Sequence, residues 1–299
     1  MNDPLSEVIA LLRPRTVLSK RISGAGRWGV RYSAYGSPSF CTVLEGGCRL
    51  AVDGHAAIAL EAGDFVLLPA TPAFTLSGFE PVTPELIDPD VAAAAPDDVR
   101  HGRADGPPDV QLLGGYFAFD SPDAALLASL LPAVVHARGA ERLSTLVRLV
   151  GEESTEQRSG RDLVLTRLVE VLLVEALRAA PGDDAPPGLL RGLADARLAP
   201  AIRQMHGDVA RSWTVSQLAQ TAALSRSAFF ERFTRTMGMA PMEYLLAWRM
   251  ALAKDLLRRR EIALAEVAGR VGYGSASAFS TAFSRCVGQP PSRYARVLA

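Results

Sequence analysis

"VGYGSASAFSTAFSRCVGQPPSRYAR", Val271 to Arg296, carries two phenylalanines four residues apart, Phe279 and Phe283. That spacing puts both rings on one face of a helix. The face away from them offers only short side chains, Ser277, Ala278 and Thr281, followed by Arg285. Such a helix is anchored on one side, and on the other its backbone can lie close against a broad surface. Ser275 stands where an N-cap belongs, behind a "GYG" turn at 272–274. Leu264, Val267 and Val271 line a shorter helix before that turn. Two short helices joined by a tight turn, apolar only where they touch, have the outline of a helix–turn–helix.

The outline recurs upstream in "TVSQLAQTAALSRSAFFERFTRTMG". Thr214 caps a helix carrying Val215, Leu218, Ala219 and Ala222. Leu224 ends the turn, and Ser225 caps a second helix with Phe229 and Phe233 inward. Between the units lies "PMEYLLAWRMALAKDLLRRR" (241–260), with Pro241 in a first-turn position and Tyr244, Leu245, Trp248, Leu252, Leu256 and Leu257 on its buried side. At 1.5 Å per residue this rod is roughly 28 Å long. Successive major-groove openings on one side of a duplex are roughly 34 Å apart. One chain can therefore offer two recognition helices to adjacent turns of the groove.

Charge supports that surface. Residues 201–299 hold 14 Lys+Arg against 6 Asp+Glu, net +8, whereas residues 1–200 hold 18 against 26, net −8. The overall balance of zero hides a basic module suited to a polyanion and an acidic one that is not. No apolar stretch reaches the roughly 18 residues of a membrane span. "MNDPLSEVIALLRPR" lacks the basic start and cleavage site of a secretory signal. Three cysteines, Cys41, Cys48 and Cys286, have neither disulfide nor zinc-knuckle spacing. The expectation is a reduced cytoplasmic protein with no metal, no cofactor and no membrane partner.

The first half reads as strands. "LEGG" (44–47), "VDGH" (52–55) and "EAGD" (61–64) punctuate short apolar runs at Phe40–Leu44, Cys48–Val52, Ala56–Leu60 and Phe65–Leu68. These suggest an antiparallel meander closing into a barrel or sandwich. Trp28–Tyr35 alternates as a strand, 79–109 reads as one long loop rich in Pro, Asp and Ala, and 110–120 returns to strand. Helices are expected over Ala124–Leu131, around Leu143–Val150 and over Asp162–Arg178. The last is apolar around more of its circumference than one packing face needs, so its surplus stripe meets either its own domain or another chain. "APGDDAPPGLL" (180–190) reads as a linker.

The C-terminal residues closely resemble the AraC/XylS type of bacterial transcription regulator. Gly272, Tyr273, Ser277, Phe279, Phe283, Gly288, Pro291 and Tyr294 fall on that family's signature. "LEGG", "VDG" and "LEAGDFVLLPATPAF" resemble the cupin-like ligand domain found ahead of this module, and "DPLSEVIALLRPR" resembles the opening of one subgroup. The resemblance implies an α+β chain. Its N-terminal cupin-like β-barrel plus helices (1–180, sensing and dimerisation) precede a linker (181–192). An all-α double helix–turn–helix domain (193–299) follows. It also implies binding to double-stranded promoter DNA, contact with RNA polymerase, a homodimer, and usually activation.

By position, Ser227, Phe230, Glu231, Ser277, Ala278 and Thr281 are the expected base readers. Arg226, Arg232, Arg235, Arg285 and Arg293 are the expected phosphate contacts. Family members often carry arginine where this chain has Glu231 and Thr281. Glu231 either repels phosphates or accepts from a cytosine amino group. In the barrel, enzymatic cupins hold a metal with histidines, and the corresponding positions here are Cys41 and Phe74. His55 sits in a turn. Trp28, Tyr32, Phe40, Cys41 and Phe74 are candidates for lining an effector pocket for a weakly polar organic molecule, or are ordinary barrel packing. Cys41 and Cys48 are either oxidant-sensing thiols or inert buried ones. The leading reading is an effector-controlled transcription factor. The alternatives are a cupin metal enzyme carrying a DNA-binding domain, and an effector-independent regulator.

Overall fold

The computed structural model describes residues 3–88, 91, 96, 98–121, 124, 128, 131–156, 158–179, 187–259 and 262–297. Its contacts divide the chain into two units. One is Arg13–Asp120 with Ala124–Pro181; the other is Met1–Leu12, Ser121–Asp123 and Gly182–Ala299.

The first unit is a curled β-sheet. Its strands are β1 (Pro14–Ala25), β2 (Gly29–Tyr32), β3 (Ser39–Val52), β4 (Ile58–Glu61), β5 (Phe65–Leu68), β6 (Phe74–Ser77), β7 (Glu85–Ile87), β8 (Asp98–Gly102), β9 (Val110–Phe119) and β10 (Val135–Ala137). The main path runs β7-β2-β6-β3-β9-β1-β8, with β4 and β5 also on β3 and β10 on β5. Curling comes from β3, which belongs to two layers. Ser39–Gly46 pairs with β9, whereas Arg49–Val52 pairs with β6.

"LEGG", expected as a turn between two strands, is therefore a bend inside one 14-residue strand. The register with β9 slips between Val43 and Glu45, the mark of a bulge. Gly46 sits there at φ 71°, and a Cβ on it would run into the Asp109 carbonyl oxygen. Only glycine satisfies both the left-handed backbone and the close approach. The sheet's inner face is a continuous apolar core including Val30, Leu50, Leu76, Val66 and Leu112.

Other strands depart from the sequence reading. β1 spans twelve residues where no strand was expected. The expected loop 79–109 contributes β7 and β8, each pairing parallel to an edge, β7 on β2 and β8 on β1. The helix expected over Ala124–Leu131 lies largely outside the described residues. The two expected after it are present as α2 (Glu141–Thr155) and α3 (Arg161–Ala179). Both pack on β1. Leu165, Val169, Leu172, Leu173, Ala176 and Leu177 of α3 are buried, while Leu163, Val164 and Val171, with Leu149 of α2, are exposed.

The second unit is helical: α1 (Pro4–Leu12), α4 (Leu189–Ala194), α5 (Leu198–Gly207), α6 (Val215–Thr221), α7 (Arg226–Met237), α8 (Pro241–Arg259), α9 (Leu264–Arg270), α10 (Ala276–Val287) and α11 (Pro291–Val297). α4 begins within the span expected as linker, whose residues 181–186 lie outside those described. Helix starts follow local chemistry. Thr214 makes a capping box with Gln217, and the hydroxyls of Ser225 and Ser275 accept from the N–H groups of Ala228 and Ala278. α6 and α9 end alike. Ala223 (φ 51°) and Gly272 (φ 83°) turn left-handed, and the next N–H, of Leu224 or Tyr273, bonds back to the carbonyl of Ala219 or Ala268.

α1 packs on α5 and α8, burying Leu5, Val8, Ile9 and Leu12. Its Glu7 carboxylate meets His206 Nδ1 at 2.8 Å, and His206 Nε2 meets the Tyr244 hydroxyl at 2.7 Å. The imidazole lies 4.3 Å from the Trp248 ring and is only 4% exposed.

Gly46→Ala is expected to destabilise the sheet by about 2 kcal/mol or more, since it adds a backbone clash to a strained φ. Gly54→Ala, at φ 82° with nothing within 4 Å of its added Cβ, carries the strain alone. Thermal melts of the two variants should separate them. Equal losses would mean that the close approach at Gly46 is unimportant.

Candidate DNA-reading surface and barrel cavity

Each helix–turn–helix is fixed by a pair of tilted, packed rings. Phe229 and Phe233 are wholly buried with centroids 5.6 Å apart, as are Phe279 and Phe283 at 5.5 Å. Tyr244 packs edge-on against the first pair and Tyr294 against the second. With those faces buried, the opposite faces of α7 and α10 are solvent-facing. Arg226, Ser227, Phe230, Glu231 and Arg235 are exposed on α7, and Ser277, Ala278, Thr281 and Arg285 on α10. Arg293 is exposed on α11. Phe230 is 45% exposed.

Two polar details bear on what these faces offer. The Thr281 hydroxyl donates to the Ser277 carbonyl at 3.1 Å, which leaves its methyl and one acceptor oxygen for anything outside. Arg232, expected among the phosphate contacts, is half-buried and turns inward, its Nε 2.7 Å from Asp195 Oδ2. Asp195 also accepts from the N–H groups of Arg197 and Leu198 at the start of α5. Partial burial works to raise the Asp195 pKa, but Arg232 and those two N–H groups outweigh it and hold the carboxyl below its usual range. Arg232 thus joins α7 to the α4–α5 turn, a role that sequence position alone does not reveal.

The curled sheet encloses a cavity of about 610 Å³. Of the five expected lining residues, Tyr32, Phe40, Cys41 and Phe74 line it and Trp28 does not. The indole of Trp28 instead covers Gly24 and Gly78 and stacks on His101, ring centroids 5.9 Å apart. No side chain at Gly24 or Gly78 contests that space, so the ring drops into the core.

The register explains residues the sequence reading missed. Lys20 pairs with Gly114, Gly114 with Cys41, and Cys41 with Val66, so these four make one rung across the sheet. All four line the cavity, and Gly114 leaves the floor between Lys20 and Cys41 open. Two rungs along, Tyr116 pairs with Ser39, and both line the cavity too. Tyr32 stacks on Phe74 at 4.9 Å, and burial pushes its hydroxyl pKa up to about 12. Among the described residues no group of three or more His, Cys, Asp or Glu is placed to hold a metal ion.

Comparison with known proteins gives these two units a family. A cupin model matches residues 3–180 and a helix–turn–helix domain model matches 218–296. A putative AraC-like transcription regulator of Streptomyces lividans is 40% identical over 98% of this chain and 97% of its own length. One from Streptomyces antibioticus is 39% identical over 98% of each chain. This chain belongs to the AraC family. A solved DNA-binding domain of AdpA, crystallised with a target DNA, is 31% identical over 33% of this chain and 89% of that one, with a TM-score of 0.32.

As an AraC-family member the chain is a DNA-binding transcription regulator, and its full-length relatives are regulators rather than enzymes. The cupin match includes α1, although that helix makes its contacts within the C-terminal unit. No helix among the described residues is long and apolar enough to cross a membrane.

Burial pushes both Cys41 and Cys48 up to about 12, with Cys48 adding to the shift at Cys41. The thiolate is the nucleophile, so at pH 8 both remain thiols. Cys286 is exposed on α10. Titration of the native protein with an aromatic disulfide reagent at pH 8 is expected to modify Cys286 rapidly, and the other two only on unfolding.

Proposed function

We propose that this AraC-family regulator is controlled by a small, weakly polar organic effector bound inside the barrel, and that it activates transcription in the cytoplasm. The cavity of about 610 Å³ carries the reading, because it has the size and composition of a small-molecule site. Its walls are largely aliphatic and aromatic, with Lys20, Glu85, Asp88 and His101 also on the lining and the hydroxyls of Tyr32 and Tyr116 there to orient a ligand. Effector binding must favour one arrangement of the chain over another, since a ligand indifferent to both shifts nothing. The exposed apolar residues Leu149, Leu163, Val164 and Val171 on α2 and α3 support a homodimer through these helices. The DNA-bound protein then contacts RNA polymerase.

On DNA, Ser227, Phe230, Glu231, Ser277, Ala278 and Thr281 face base edges, and Arg226, Arg235, Arg285 and Arg293 face phosphates. Fluorescence anisotropy on promoter fragments from the source genome, across a salt series, tests the assignment. Arg285→Ala is expected to weaken binding to every sequence and lower the salt slope by about 1. With the Thr281 hydroxyl turned to its own backbone, its methyl is the reading group. Thr281→Ser, which keeps the hydroxyl and removes the methyl, should therefore lose preference for thymine at one base pair. A Thr281→Ser variant that reads DNA like the parent would overturn that role.

Gly114 offers the test of the cavity. A Cβ there meets only ordinary neighbours, the nearest 3.4 Å away, and the backbone is unstrained. Gly114→Leu is expected to fold, bind DNA and lose at least about tenfold in effector response, as a side chain occupies ligand space. Compounds would first be found by their thermal shift of the full-length protein. An unchanged response in Gly114→Leu would place the effector elsewhere, and no stabilising compound would favour an effector-independent regulator.

A further inference from the structure

Acidic side chains are scarce in the basic C-terminal residues, and two of them sit in ion pairs within their own helix. Asp255 is held by Arg259 at 2.9 Å and Glu266 by Arg270 at 2.7 Å, both one helical turn ahead. Glu231 has the same arrangement in sequence, with Arg235 four residues on, yet among the described residues it has no ion pair. Its other neighbouring cation, Arg232, is turned away to Asp195. An exposed carboxylate thus stands on the outward face of α7 with no cation paired to it among the described residues, beside the exposed ring of Phe230. On a helix that faces a polyanion, such a charge weakens binding to any sequence unless the DNA supplies a donor.

Within the major groove, donors to a carboxylate are base amino groups, and the cytosine N4 amino group is the one Glu and Asp accept from. Phenylalanine makes apolar contact with the thymine methyl. We propose that Glu231 is the specificity-determining residue of the α7 half-site, accepting from the amino group of a cytosine while Phe230 contacts the methyl of a neighbouring thymine. The inference rests on α7 being a base-reading helix, as proposed above. It makes the two half-sites chemically unlike. The α7 half demands a C·G pair at one position, and α10, which has no charged side chain at Ser277, Ala278 or Thr281, makes no such demand.

The experiment is selection from a random duplex library by the full-length protein, in parallel for the parent, Glu231→Ala and Glu231→Gln. The parent is expected to retain duplexes with a C·G pair at one fixed position of one half-site, favoured about fivefold to about a hundredfold. Glu231→Ala should lose that preference alone, keep the other half-site, and bind unrelated DNA more tightly. Glu231→Gln should shift the preference to adenine, whose N6 and N7 match the glutamine amide. Because Glu231 is exposed and unpaired, melting temperatures should match the parent in both variants. An unchanged base profile in Glu231→Ala, with a uniform gain in affinity, would show that the carboxylate only repels phosphates and would overturn the proposal. A parent that selects no sequence at all would instead overturn the base-reading assignment of the surface, and this inference with it.

Discussion

Burial of the two phenylalanine pairs is the interaction on which the DNA-facing half depends. α7 and α10 are twelve residues each, a length at which isolated helices are marginal in water. Phe229 with Phe233, and Phe279 with Phe283, supply the tertiary anchor, and Tyr244 and Tyr294 close each cluster from α8 and α11. Since the anchor is concentrated in two rings per helix, the opposite face is free of packing duties. It can then carry short side chains, an exposed ring or an unpaired carboxylate without loss of structure. A left-handed glycine, Gly238 or Gly288, stops each helix.

Much of this half is legible in sequence because its determinants are local. Thr214, Ser225 and Ser275 cap helices through bonds that reach only three residues, and Pro241 opens α8. The barrel is less legible because pairing partners decide it. "LEGG" has turn composition, and only the carbonyl of Asp109, more than sixty residues away, shows why Gly46 is a bulge. β7 and β8 are short runs in a segment rich in Pro and Asp, and they become strands because β2 and β1 offer open edges. β1 lacks turn punctuation, and its pairing with β9 is what defines it.

The cavity shows the same division. Tyr32 follows from strand alternation, Phe40 from an apolar run that reads as a strand, and Cys41 and Phe74 from the cupin resemblance. Lys20, Gly114 and Tyr116 follow only from register. Trp28 defeats the pattern because small neighbours let its indole turn inward. Arg232 and Asp195 lie 37 residues apart, so their ion pair, too, is a product of the fold.

α1 changes what the chain is as a connected object. Pro4–Leu12 packs within the C-terminal unit, and β1 of the barrel begins at Pro14. The barrel is therefore an insertion, entered from one part of the helical unit and left toward another, rather than a domain hung on a single tether. Excising the helical unit at residue 187 would strip the apolar cover from α5 and α8 and leave His206 Nδ1 without its carboxylate. In this family member, a helix that packs within the helical unit is encoded ahead of the barrel, and the rest of that unit after it.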